Sequence, residues 1–198
     1  MDIYGEAVIN GGRLNMNDLN FIGVSTPIVS LSMGTMKNLL YIHIENQQLE
    51  ELDVSSCPAL NSLTANNNHL TSVDFSNNLN MNNADLSYNQ LTTIDFSMTN
   101  PTSTGFSLEA TDNKLTSLYL PNDDGTTYDY NTSITISNNP NLTDIYTKKM
   151  KAKINFLKNT DGQVLKPSYT IHTKPGSTTV GSGTVDGTTP ISFTYDRT

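Results

Sequence analysis

With 198 residues, 19 acidic against 11 basic side chains and a net charge of −8, the chain is acidic, which argues against a nucleic-acid partner because such partners need a basic face. No apolar stretch approaches the length needed to span a membrane as a helix, and the lone cysteine, Cys57, excludes an internal disulfide and a cysteine-rich metal site. Only 35% of residues are hydrophobic and Trp is absent, while Asn, Ser and Thr abound, which fits turns and exposed strands better than one large globular core.

In chain order, Ala7-Val8-Ile9, Leu14-Asn15-Met16 and Leu19-Asn20-Phe21-Ile22 alternate enough to predict short strands. Residues 1–27 match the later pattern poorly and are read as an N-terminal cap or a degenerate repeat, because the first unit of a stacked array has no upstream neighbour. Met1-Asp2-Ile3-Tyr4-Gly5-Glu6 lacks the basic and apolar regions of a signal peptide, so the chain is expected to be a mature or excised piece of a longer protein.

From residue 28 two phrases alternate. The short one reads Leu49-Glu-Glu-Leu52-Asp-Val54-Ser, Leu70-Thr-Ser-Val73-Asp-Phe75-Ser and Leu91-Thr-Thr-Ile94-Asp-Phe96-Ser, its copies 21 residues apart, with Ile28 in register upstream. The long one begins at Leu39, Leu60, Met81, Gly105 and Asn131 and reads L-x-x-L-x-L-x-x-N-x-L, with Gln47 and then Asn68, Asn89, Asn113 and Asn139 in the Asn place. A fixed period with this motif predicts a leucine-rich repeat solenoid over 28–150. Positions four and six of each long phrase face inward on a strand, and these strands are expected to stack into a parallel concave sheet with short strands on the convex side. The Asn ladder is expected to satisfy backbone groups within and between coils. Asp53, Asp74 and Asp95 are read as turn residues rather than a calcium ladder, since calcium needs six or more converging oxygens. Cys57 is read as a small packed side chain.

After Phe96 the step lengthens: Asn89 to Asn113 spans 24 residues and Asn113 to Asn139 spans 26. The extra residues lie at 98–105 and 121–131, the same place in the repeat, so both should emerge on one edge. Lys148 to Lys153 is read as solvated surface. Residues 151–198 alternate strand-like pieces with turn signals (Asp161-Gly162, Pro175-Gly176, Gly181-Ser182-Gly183, Asp186-Gly187) and are read as a small β-rich C-terminal domain. The other reading makes Ile154, Phe156 and Asn159 one more concave strand capping the solenoid.

Phrases such as Leu49-Glu-Glu-Leu-Asp-Val-Ser-Ser-Cys-Pro-Ala-Leu60 and Asn89-Gln-Leu-Thr-Thr-Ile-Asp-Phe-Ser97 resemble the short repeats of bacterial cell-surface leucine-rich repeat proteins, including internalins with 21-residue repeats. The tail, through Lys153-Ile-Asn-Phe-Leu157 and Ile191-Ser-Phe-Thr-Tyr195, resembles a shortened mucin-binding-protein repeat. The resemblance implies a secreted or wall-attached protein that binds a protein or glycan of a host or neighbouring cell; a monomer without cofactor is expected.

The three histidines, His43, His69 and His172, stand in no catalytic motif, so no enzyme is expected. Binding residues are expected at the outward positions of the concave strands, notably Tyr41, His43, Glu45, Asp85, Tyr88, Glu109 and Asp112, because aromatic anchors amid polar groups dominate recognition surfaces. The edge segment Asp123-Asp124-Gly125-Thr126-Thr127-Tyr128-Asp129-Tyr130 adds Asp123, Asp124, Tyr128 and Tyr130 as partner contacts, and it lacks the twelve-residue calcium-loop pattern. A passive spacer presenting other domains is the alternative to a recognition module.

Overall fold

A computed structural model of the chain describes residues 5–9, 17–100, 105–122, 133–148, 151–155, 169–172, 179–183 and 191–194. In order, its strands are β1 (Gly5–Ile9), β2 (Asp18–Asn20), β3 (Ile28–Met33), β4 (Tyr41–His43), β5 (Ser62–Thr64), β6 (Asn83–Asp85), β7 (Thr93–Asp95), β8 (Ser107–Glu109), β9 (Ser117–Asn122), β10 (Ser133–Thr135), β11 (Asp144–Lys148), β12 (Lys151–Asn155), β13 (Tyr169–His172), β14 (Thr179–Gly183) and β15 (Ile191–Thr194). They form a parallel β-solenoid of about five turns. An eight-stranded sheet runs β15-β12-β10-β8-β6-β5-β4-β2, a five-stranded one β14-β13-β11-β9-β7, and β1 pairs with β3. No helix among the described residues is long and apolar enough to cross a membrane.

The strands of the large sheet from β4 to β6 are three residues long, each centred on one inward apolar side chain. Leu19, Ile42, Leu63, Ala84, Leu108, Ile134 and Ile154 occupy one rung position each, in unbroken parallel register. All are buried, most of them fully, so every coil covers its neighbour's apolar stripe. On the other side Ile94, Leu118, Ile145 and Ile171 stack in the same way. Between the sheets Phe75 stacks on Phe96 with centroids 4.5 Å apart, and Phe96 meets Phe106 edge-on at 5.0 Å. Phe106 fills a place that the repeat spacing assigns to Gly105; the glycine instead takes a φ of 96°, and its neighbour turns into the core.

The Asn ladder joins the coils as expected. Asn68 Nδ2 donates to Ala65 O in its own coil and to Ile44 O in the preceding one, while Asn68 Oδ1 accepts from Leu49 N. Asn89, Asn113 and Asn139 repeat the arrangement, and Gln47 Oε1 does the same for Ile28 N. Each amide thus satisfies backbone groups that strands this short leave unpaired.

The acidic ladder is a turn device. Asp53, Asp74 and Asp95 accept from the backbone N–H of Ser55, Ser76 and Ser97 at 2.8, 2.8 and 2.7 Å. Their carboxylates therefore close Asx turns; the one at Asp95 ends β7, while the equivalent segments at Asp53 and Asp74 form no strand. Register puts Tyr119, Tyr146 and His172 on the next rungs of this same row. Without an Asx turn to close them, β9 and β11 run on for 6 and 5 residues, against 3 in β7.

Both ends depart from the repeat. Leu19 is the register partner of Ile42, and Phe21 N donates to His43 O at 2.8 Å, so the segment from 17 forms a coil. Downstream, β12 pairs parallel with β10 and β13 with β11, which carries both sheets past residue 150. Phe156, Asn159 and the Asp161-Gly162 turn lie outside the described residues. The last strands, β14 and β15, are antiparallel to their neighbours.

Candidate ligand-binding face

Five of the predicted residues alternate with the buried side chains of the large sheet. Tyr41 and His43 flank Ile42 on β4, Asp85 follows Ala84 on β6, Glu109 follows Leu108 on β8, and Glu45 follows Ile44. Tyr41 is 41% exposed and Glu109 is exposed; His43, Glu45, Asp85 and Asp112 are partly buried. Asp123, Asp124, Tyr128 and Tyr130 lie outside the described residues. Among the described residues, no group of three or more His, Cys, Asp or Glu is placed to hold a metal ion.

Beyond each strand the chain turns through a single residue in the left-handed region. These are Gly23 (φ 80°), Asn46 (58°), Asn67 (57°), Tyr88 (57°), Asp112 (55°) and Asn138 (56°). Gly, Asn and Asp adopt this conformation readily; a bulky side chain such as tyrosine rarely does, and the left-handed state costs it roughly 1–2 kcal/mol. The asparagines also tie the rungs together: Asn67 Nδ2 donates to Asn46 Oδ1 at 2.6 Å, and Asn138 Nδ2 donates to Asp112 Oδ1. Tyr88 interrupts this ladder and yet is 56% exposed, so packing returns little for the strain.

A second cost sits on this rung and the next. Asp85 and Glu109 are register partners on β6 and β8, and like charges directly opposite one another destabilise a sheet. The equivalent residues of the flanking rungs are Thr64 and Thr135. Asp85 Oδ1 accepts from Ser87 N at 3.1 Å. Two rungs away, Glu45 Oε2 is shielded from solvent without a hydrogen-bond partner among the described residues. The neighbouring coils act as an internal comparison: the Tyr88 row otherwise holds Gly, Asn and Asp, and the Asp85–Glu109 row is flanked by Thr64 and Thr135.

The five-stranded sheet carries a cluster that spacing alone misses. Tyr119 and Tyr146 stack at 4.5 Å, Tyr146 and His172 at 5.0 Å, and His172 Nε2 lies 2.8 Å from Asp144 Oδ1. Asp144 Oδ2 accepts from the Thr143 hydroxyl at 2.6 Å. Burial, aided by the carboxylate of Asp144 and the neighbouring Tyr119, pushes the Tyr146 phenol up. These rings spend their faces on one another, so the cluster joins successive coils rather than offering a flat platform. The available signal is the apolar residue before each ring: Leu118, Ile145 and Ile171.

The chain matches no protein-family model, and no curated protein or solved structure is significantly similar to it.

Proposed function

We propose that this chain is a non-enzymatic recognition module of leucine-rich repeat type. In this reading it is displayed outside the cell or on a bacterial surface and binds a protein or glycan of a host or neighbouring cell. The bound partner lies on the outward residues of the large sheet, centred on Tyr88, Glu109 and Asp112.

The observation that carries this reading is Tyr88 itself. A half-exposed tyrosine at φ 57°, in a row otherwise made of Gly, Asn and Asp, costs stability and is better explained by what it touches when bound. The competing reading, a passive spacer, draws on β5 and β10, whose rungs present only Ser, Thr and Asn outward.

The test is binding of the purified chain to an array of matrix proteins, mucins and glycans, beside a variant carrying Tyr88→Ala, Glu109→Lys and Asp112→Lys, with circular dichroism confirming that both fold. Binding by the native chain alone supports recognition at this face. Binding that survives the triple substitution moves the site elsewhere, and an array that neither protein binds favours the spacer.

A further inference from the structure

We propose that the partner of this face is an extended polypeptide bearing lysine or arginine, laid along the solenoid axis so that cationic side chains four residues apart meet Glu45 and Glu109, with Tyr88 beside the stretch that joins them. This rests on the reading of the large sheet as a recognition face and adds the chemical class of what it holds.

The first argument is charge. From β2 to β10 the outward positions of the large sheet include Asp18, Glu45, Asp85, Glu109 and Asp112 and no Lys or Arg. The face therefore repels its own neighbours and attracts cations, within a chain whose net charge is already −8. An ammonium or guanidinium beside Asp85 and Glu109 removes the repulsion between these register partners. Glu45 adds a partly buried carboxylate to the same face.

The second argument is spacing. From β4 through β5 and β6 to β8 there are three rung steps, about 14 Å at the usual separation of hydrogen-bonded strands. Residues i and i+4 of an extended chain project to one side roughly 13 Å apart. Long cationic stems take up the sideways offset between the Glu45 and Glu109 positions. The third argument is the aromatic pair. Tyr41, 41% exposed, and Tyr88, 56% exposed, give aromatic surface to aliphatic stems and to cations, which their row neighbours Asp18, Ser62, Asn67 and Asp112 do not.

The experiment is fluorescence anisotropy on the full chain with a labelled serine-based peptide carrying Lys at i and i+4. Its controls are the same peptide with Glu for Lys, one with the two Lys adjacent, and spermine as competitor. The expected result is preference for the i, i+4 peptide, weakened by added salt. Glu109→Gln and Tyr88→Asn should each weaken it by about two- to fivefold.

Equal binding of the Glu peptide overturns the proposal. So does Lys-peptide binding that Tyr88→Asn and Glu109→Gln leave unchanged, which is diffuse attraction to an acidic chain. Spermine binding with the same sensitivity to both variants, and no preference among peptides, overturns it too and identifies a cation site that does not read a polypeptide. If the Lys peptide fails while a ligand from the array is lost in the triple variant, the recognition face stands and the assigned class falls; if both fail, both fall.

Discussion

Asn89 tests the logic of the ladder, because its replacements reverse the order expected from size. Its Nδ2 donates to Ala65 O, Leu86 O and Ser87 O at 3.0, 3.1 and 3.2 Å, and its Oδ1 accepts from Leu70 N at 3.0 Å. Remove the side chain and each carbonyl keeps another donor: Asn68 Nδ2 for Ala65, Asn113 Nδ2 for Leu86 and Asn67 N for Ser87. Only the buried Leu70 N–H loses its sole acceptor among the described residues. Asn89→Ala should therefore cost about 2–3 kcal/mol, one orphaned donor plus a lost hydrogen bond, or roughly 5–10 °C in Tm. Asn89→Asp keeps the acceptor but aims a second carboxylate oxygen at three carbonyl oxygens, at a position 7% exposed. At pH 7 it should cost at least about 1 kcal/mol more than alanine, since an unpaired buried charge is the greater penalty. Repulsion from the carbonyls raises the new carboxyl in the folded state, so the extra cost appears as pH rises through that raised value and fades on acidification. Urea unfolding followed by circular dichroism at pH 7 and pH 5 measures both. An aspartate variant as stable as the alanine variant at pH 7, or a gap unchanged at pH 5, refutes the reasoning.

Asn67→Tyr should destabilise by roughly 1–2 kcal/mol, because it puts a second ring in the left-handed row and removes the bond to Asn46, whereas Tyr88→Asn should be neutral or mildly stabilising; thermal melts of the two decide. The hydroxyl and backbone N–H of Ser55 hold the Asp53 carboxyl below its ordinary value, and the backbone N–H and hydroxyl of Ser76 do the same for Asp74. Folded values below unfolded ones mean stability that is full above the usual carboxylate range and lost as pH falls beneath it; Asp74→Asn should flatten that acid limb of a pH–stability curve. Cys57 is fully buried and its thiol is pushed up by desolvation, so a maleimide should label it only as the chain unfolds; rapid labelling in native buffer contradicts the packing described.

The coils with constant spacing are legible in the sequence because each apolar position is repeated by its neighbours, so one error in alignment would expose a whole row. The Asn and Asp ladders are legible for a related reason: each residue type has one dominant local use in such a turn. What escapes is whatever the changes of step conceal. Between Asp95 and Tyr119, and again between Tyr146 and His172, the count of residues no longer tells which side chains share a row, so spacing leaves His172 in the tail and hides its stack on Tyr146. Of the face, Tyr88 stands out in the sequence for its aromatic ring. Its backbone strain, the more telling property, arises from a turn geometry that Asn46, Asn67 and Asn138 hint at only when read as a column.

The registers carry a practical consequence. Asp85, Glu109 and Thr135 remain in one row although the coils between them differ in length. Length variation is therefore uncoupled from strand alignment, because the Asn amides and the inward side chains set the alignment on their own. A protein engineer would treat the corner beyond the second sheet as a graft site, where a foreign segment enters without disturbing the coils above or below. The same uncoupling lets the outward columns be rewritten one rung at a time, so that binding and folding can be varied as nearly separate variables.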